Sequence, residues 1–430
     1  MPKASDLLGM NARNQLYTSL NSSAAKRFGT SKYATKILLE DKGIATAKLY
    51  GVLGTIEDVQ EFDWRALEKN FVVKPSNGNA GKGILIFKTQ EQNKEHWIDT
   101  IGRRWSLDEI HLHCADILEG IYSTYGSNAS IIVEERVPIH SKFQKYAHKG
   151  TPDVRIIVFN HVPVMAMLRL PTPASEGRAN LHQGAVGVGV DMFSGVTTYA
   201  IMGDGKEVRF LPGTKKKLNG IKIPNWTAAL EMAITAADAS GLKFCGVDLF
   251  IHEEKGPLVV ELNANPGLSI QIANRAGLRR RLERVQDITV LNSSHSVRIG
   301  QALFAENFSD KIKAEDGLTI IKPFEDVVVY DRLKGKSTEL ALINTGRFRS
   351  SISSNVAEKL GLIDSGDLLW FQKEKEGDKV PVVEVVFRLK NRKKTTAMLV
   401  SKKLNKSKYQ IEIGRNDLAG FLVGEGEMNV

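Results

Sequence analysis

Two short apolar runs, GVDLF (246–250) and VVELNANPGL (259–268), constrain this chain more than any other feature of it. Both read as buried strands with a few polar residues set into them. Side chains alternate between the faces of a strand, so Glu261 and Asn263 project to the same side. Asp248, on a neighbouring strand, can converge with them. Two carboxylates and an amide oxygen on one surface are hard ligands that suit magnesium beside a nucleotide phosphate. The pattern points to phosphoryl chemistry.

A chain of 430 residues is long enough for two or three domains with separate cores. No apolar run approaches the roughly 18 residues of a membrane helix, and the start has no signal-peptide core. The expectation is a soluble, cytoplasmic protein with no membrane partner. Cys114 and Cys245 are the only cysteines, too few for a disulfide framework or a thiolate metal site. The net charge of +10, from 59 Lys and Arg against 49 Asp and Glu, suggests polyanionic partners. Much of it clusters in 388–409 and in Arg279, Arg280 and Arg281. A solvated basic face explains those clusters as well. Nucleic acid is not expected, because no RNA- or DNA-binding signature accompanies them.

Residues 1–30 are polar and turn-rich, a lead-in that packs on a larger body. TSKYATKILLEDKGI (30–44) reads as a helix capped by Thr30 or Ser31 and stopped by Gly43. FVVKP (71–75) and GILIF (83–87) are strands flanking the loop SNGNAGKG. Residues 91–125 are mostly helical in pattern. SIIVEERV (130–137) is a strand, residues 153–170 are a strand pair, and 227–240 is a helix before the two ligand strands. From Gly277 to Glu325 the pattern is helical and amphipathic, and a β-rich unit follows from about Asp326.

The loop SNGNAGKG allows close backbone approach to phosphate oxygens at its glycines, although a plain glycine hairpin explains it equally. It is not a Walker A loop, because no helix follows and Lys82 is not followed by Ser or Thr. Lys74 ends an apolar strand, as a snorkelling edge lysine or as a phosphate contact. Glu134-Glu135-Arg136-Val137 is a strand end that can offer backbone groups to a purine. Arg155 and Arg169 lie in apolar strands and need anionic partners there. Arg178, in the loop EGRANLHQG, has the planar fork for a carboxylate or a phosphoryl group, and His182 beside it reads as solvated.

Taken in order, Lys32, Lys74, the glycine loop, Glu135, Arg178, Asn180, Asp248, Glu261 and Asn263 resemble the ATP-grasp superfamily. Within it, GRANLHQGAVGVGV and VVELNANPGL are similar to the glutamate-ligase branch (RimK-type), the alpha-L-glutamate ligase-like proteins. The resemblance covers about residues 8–285 and rests on several separated motifs. It implies an α+β fold with ATP between two α+β subdomains. Lys32 and Lys74 would contact the α- and β-phosphates, with Gly81, Lys82 and Gly83 closing over them. Glu135, Arg136 and Val137 would form the adenine edge, and Asp153 and Asn180 would also belong to the nucleotide site. Asp248, Glu261 and Asn263 would hold two magnesium ions, which manganese could replace. Two departures stand out. Ser31 replaces the usual aspartate before the first lysine, and the chain starts too close to Lys32 for the α/β domain that precedes the core in many relatives.

The implied reaction is attack of a substrate carboxylate on the γ-phosphoryl of ATP, then displacement of phosphate from the acyl phosphate by an amine. Lys74, Arg178 and Arg169 are the expected catalytic residues. The partners would be an amino acid, glutamate among the candidates, and a peptide or protein. A non-catalytic peptide-binding scaffold is the alternative. ELALINTGRFRSSISSNVAEKLGL (339–362) and YQIEIGRNDLAGFLV (409–423) resemble a retropepsin-like aspartic protease domain over about 326–425. That family has aspartate where this chain has Asn344, and an amide cannot act as the acid or base of a shared-proton pair. The expected organisation is therefore a ligase core with its lead-in (1–285), a helical connector (286–325) and a degenerate retropepsin-like β domain (326–430). The last would serve peptide binding or homo-oligomer formation, without proteolysis.

Overall fold

The computed structural model describes residues 4–67, 70–77, 82–90, 96–122, 129–305, 319–331, 335–364, 366–373 and 379–424. The chain divides into two compact units. The first holds Met1–Val190 and Thr197–Gln286, the second Asp191–Val196 and Asp287–Val430. Helices and strands mix in the first, and the second is mostly strand.

The first unit contains two sheets. One has six strands: β1 (Leu49–Leu53), β2 (Phe71–Pro75), β3 (Leu85–Gln90), β4 (His96–Asp99), β5 (Arg104–Ser106) and β6 (Ile131–Glu135), in the order β1-β6-β2-β3-β4-β5. Its core face carries Phe71 and Val73 of β2 and Ile131 and Val133 of β6, packed with Trp97 and with Ile110, Cys114 and Ile117 of a helix at Leu107–Leu118. Strand alternation then sends Lys74, Ile132 and Glu134 to the opposite face. The stretch 91–125, helical in sequence pattern, thus supplies two strands before its helix, which begins at a Ser106–Glu109 capping box.

The other sheet has seven strands: β7 (Asp153–Phe159), β8 (Val162–Leu170), β9 (Val186–Val190), β10 (Thr197–Ile201), β11 (Glu207–Val208), β12 (Phe244–His252) and β13 (Gly256–Asn263), ordered β11-β10-β9-β8-β7-β12-β13. β7 and β8 form a hairpin whose turn residues, Asn160 and His161, both have positive φ, as a tight two-residue turn requires. Two helices bear on this sheet. Helix α1 (Lys32–Asp41) is capped by Ser31, and α2 (Trp226–Ser240) buries Ala229, Leu230, Ala233, Ile234 and Ala237. The lead-in packs on the same body. The Leu8 backbone exchanges hydrogen bonds with the Gln271 side chain, and the Asn21 side chain does so with the Phe244 backbone.

In the second unit a helix (Ser293–Phe304) precedes a barrel of β14 (Phe324–Tyr330), β15 (Lys336–Asn344), β16 (Ser351–Ser353), β17 (Lys379–Leu389), β18 (Arg392–Ser401) and β19 (Ile411–Gly414). β14 pairs with both β15 and β17, which closes the sheet on itself, and a further strand (Leu368–Lys373) pairs with β17 at its margin. Val327, Val329, Ile343, Ile352, Val385, Phe387, Met398 and Ile411 fill the interior. The stretch 277–325 therefore supplies helices at Leu278–Val285 and Ser293–Phe304 and then β structure, with 306–318 outside the described residues.

One backbone contact fixes two loops of the first unit. A Cβ on Gly150 would lie 1.7 Å from the Gly177 carbonyl oxygen, so only glycine lets the segment before β7 touch the loop after β8. Gly150→Ala should force these loops apart and cost about 1–3 kcal/mol in urea unfolding. An unchanged midpoint would show that the contact is not needed.

Candidate active site

Helix α1 starts against the end of β2. The Ser31 side chain accepts from the Ala34 N–H, and the Lys32 N–H donates to the Ser76 carbonyl at 2.8 Å. Lys32 and Lys36, one turn apart, fall on the same helix face. Lys74 and Glu134 face them from β2 and β6. Glu134 is held by two buried ammonium groups: Lys74 Nζ donates to its Oε1, and Lys36 Nζ to its Oε2 at 2.7 Å. Lys36 also donates to the Ala47 carbonyl. Burial alone would raise the Glu134 carboxyl, but the Lys74 and Lys36 charges outweigh it and hold it below the usual carboxylate range. Burial lowers Lys32, with Glu261 opposing that effect and Lys74 reinforcing it.

These groups line a cavity between α1, the six-stranded sheet and the end of the seven-stranded one. Its apolar walls are Leu39, Ile132, Phe250, Leu258 and Val260, and its polar lining includes Lys32, Lys36, Lys74 and Glu134. Val137 packs with Ala47, Leu258 and Phe250 at its edge. A slot with apolar walls, one carboxylate and three ammonium groups suits a flat base with an anionic tail.

The acidic constellation sits in register. Asp248 pairs with Glu261 across β12 and β13, Gly246 pairs with Asn263, and Arg155 of β7 lies opposite Asp248 on its other side. One row therefore runs Arg155–Asp248–Glu261. Arg155 grips Asp248 with two hydrogen bonds, Nε to Oδ1 at 2.7 Å and Nη2 to Oδ2 at 2.6 Å. Arg169 of β8 bridges Asp248 and Asp153, donating from Nη2 at 2.6 and 2.7 Å. The two guanidinium groups outweigh burial at Asp248 and hold its carboxyl far below the usual range. At Asp153 burial dominates and the value rises. Glu261 is more open. Its Oε1 lies 3.9 Å from Arg155 Nη2, and its Oε2 lies 3.9 Å from Lys32 Nζ.

Among the described residues no group of three His, Cys, Asp or Glu side chains could hold a metal ion. Asp248 and Glu261 supply two carboxylates, and Asp248 already accepts three arginine hydrogen bonds. Asn263 adds an amide oxygen that accepts from the Asn265 N–H at 3.0 Å. This donor set is too small for a cage but fits magnesium, which keeps water and phosphate oxygens among its ligands.

Other candidates lie elsewhere. The Glu135 carboxylate turns out of the cavity to Lys255 Nζ, at 2.9 and 3.0 Å, and to the Lys48 N–H. The carboxylate inside is Glu134, the neighbouring residue on the other face of β6. Lys36 also escaped the sequence reading, although its four-residue spacing from Lys32 signalled it. Arg136 N–H bonds the Asn70 carbonyl. Arg178 is exposed and paired with Glu176 at 3.2 Å. Asn180 caps the short helical turn that contains His182. Lys82 is exposed, the Gly83 carbonyl is bonded to His113 Nε2 at 3.0 Å, and Gly81 lies outside the described residues. Burial pushes the Cys114 thiol up to about 12 and Cys245 higher still, so neither offers a thiolate.

With this geometry in hand, three comparisons are informative. The family model described as sugar-transfer associated ATP-grasp matches residues 11–287. A probable alpha-L-glutamate ligase 2 of Pseudoalteromonas atlantica is 26% identical over 250 residues, 58% of this chain and 60% of the relative. A probable alpha-L-glutamate ligase of Psychromonas ingrahamii is 27% identical over 251 residues, again 58% and 60%. The chain thus spans about 60% of the length of these curated relatives. A solved D-alanine–D-alanine ligase of Bacillus anthracis, complexed with ATP, aligns over 69% of this chain and 71% of its own at 14% identity and a TM-score of 0.35.

The Arg155–Asp248 pair yields a stability prediction. Asp248 has a lowered folded pKa, so its stabilisation is present above the unfolded value of about 4 and is lost as pH falls through the folded one. Arg155→Met should cost about 3 kcal/mol at neutral pH. That cost should shrink in urea titrations carried towards pH 3, as Asp248 becomes neutral in the variant. A cost that stays constant with pH would contradict the pairing.

Proposed function

This chain belongs to the sugar-transfer associated ATP-grasp family, and from that premise we propose that it is an ATP-dependent carboxylate–amine ligase. The observation that carries the reading is the in-register Asp248–Glu261 pair, set beside a cavity lined by Lys32, Lys74 and Glu134. A protein that only binds a peptide has no use for this set. The adenine would lie between Ile132 and the Leu258–Val260 strand, with Glu134 accepting from its amino group and Val137 at its edge. The phosphates would extend past Lys74 and Lys32 towards Glu261.

Asp248, Glu261 and Asn263 would hold magnesium, as two ions that manganese could replace, and the metal would neutralise charge on the transferring phosphoryl group. Lys32 and Lys74 would orient the phosphate chain. A substrate carboxylate would attack the γ-phosphorus and release ADP. An amine would then attack the acyl carbon and phosphate would leave. Arg169, and Arg178 from its loop, would offset charge on the acyl phosphate and then on the tetrahedral oxyanion. No protein nucleophile is involved, in keeping with the two buried thiols.

The relatives named as alpha-L-glutamate ligases make glutamate the first amino acid to test, with a peptide or protein as the second substrate and the cytoplasm as the setting. We read the barrel of the second unit, about 326–430, as a degenerate retropepsin-like domain that binds peptide or pairs with a second copy, with 286–325 as the connector before it. Asn344-Thr345-Gly346 ends a strand in it, as the family's Asp-Thr-Gly does. In place of an acid pair, Asn344 Nδ2 donates to Glu412 at 2.6 Å and Arg347 pairs with the same carboxylate at 3.0 Å. That arrangement supports binding without cleavage.

The test is a screen of amino acids and peptides for stimulated ADP release, with product masses read directly. A mass gain of one amino-acid residue supports ligation, and ATP consumption without a new covalent product opposes it. Glu261→Ala should lower turnover by about 10²–10³-fold with folding intact. Wild-type turnover in that variant would remove Glu261 from the site.

A further inference from the structure

We propose that Lys36 is a positioning residue: the permanent counter-ion of Glu134, whose presence frees Lys74 to engage a nucleotide phosphate. The inference rests on the nucleotide reading of the cavity and adds to it a residue in no motif.

The argument begins with the difference between two lysines that share one carboxylate. Lys36 Nζ is fixed by two acceptors, Glu134 Oε2 and the Ala47 carbonyl, and its side chain is 7% exposed. Lys36 also borders the cavity, but with two acceptors it has one ammonium proton to spare. Among the described residues Lys74 makes a single hydrogen bond, to Glu134 Oε1, leaving two of its three ammonium protons for another acceptor. Its charge also bears on Lys32, which in turn faces Glu261.

The Glu134 side chain is 10% exposed, and a buried carboxylate left without a partner is strongly unfavourable. With Lys74 as its only counter-charge, any movement of Lys74 to a phosphate would strand Glu134. With Lys36 in place Glu134 stays ionised and paired, still an acceptor for a base amino group, while Lys74 swings from one anion to another. Lys36 therefore acts through Lys74 and need touch no ligand.

The consequence falls on phosphate-bearing ligands alone. In Lys36→Met, Glu134 should retain Lys74, so ATP and ADP bind more weakly while adenosine, which makes no demand on Lys74, does not. A hydrogen bond to a charged group typically contributes enough for a loss of about 10- to 100-fold. The measurement is equilibrium binding of ATP, ADP and adenosine to the full chain, as wild type, Lys36→Met, Lys36→Arg and Lys36→Met/Glu134→Gln. The expected result is a loss of about tenfold or more for ATP and ADP with adenosine little changed. Lys36→Arg should restore most of it. The double variant, which no longer holds Lys74 back, should regain phosphate preference over the single one, and it also serves where Lys36→Met alone fails to fold. Equal losses for ATP and adenosine, or none, would overturn the proposal. A wild-type chain that binds neither ATP nor ADP would instead overturn the nucleotide reading beneath it.

Discussion

The row Arg155–Asp248–Glu261 is the constraint on which the first unit's chemistry depends. Asp248 is buried in the middle of a sheet, where a lone carboxylate could not remain ionised. Two arginines from the adjoining hairpin, β7 and β8, keep it charged and fix its orientation. Because β7, β12 and β13 are paired in register, the same hydrogen-bond ladder that builds the sheet also sets Glu261 beside Asp248. A one-residue slip in any of these pairings would turn the set to opposite faces. The sheet is the jig that aligns these side chains.

A second charge group, Lys36–Glu134–Lys74, lines the cavity beside that row. The two groups differ in character. Around Asp248 the arginines are bound firmly by carboxylates, so a cation entering there needs anions that arrive with the ligand. Around Glu134 the lysines outnumber the acid, so a polyphosphate entering there finds positive charge unspent. Among the described residues neither group forms a preformed metal cage.

The acidic strands were legible in the sequence because a charge inside an apolar run is conspicuous and alternation assigns its face. Lys32 followed only from the family resemblance, whereas Lys74 could be read for a similar reason, as could the hairpin at 153–170. Face parity between strands distant in sequence could not. Glu134 and Glu135 look equivalent in EERV, and only the pairing of β6 with β2 places Glu134 beside Lys74 and turns Glu135 towards Lys255. The strands at His96–Asp99 and Arg104–Ser106 were hidden for another reason. They are short, and neighbouring charged residues gave the stretch a helical pattern that tertiary packing overrode. Arg178 stands in a loop with Glu176, and its place relative to a substrate is not a property of local sequence.

The central claim concerns which bond of ATP is broken. The proposed reading is that a site pairing three ammonium groups with Asp248 and Glu261 transfers the terminal phosphoryl group to a carboxylate. The most direct measurement is the nucleotide product formed when the full chain consumes ATP with amino acids and peptides, compared with the amount of new amide. The account predicts ADP and orthophosphate, each equimolar with the amide. AMP and pyrophosphate in that ratio would contradict it, because they would mean activation by adenylation in place of an acyl phosphate.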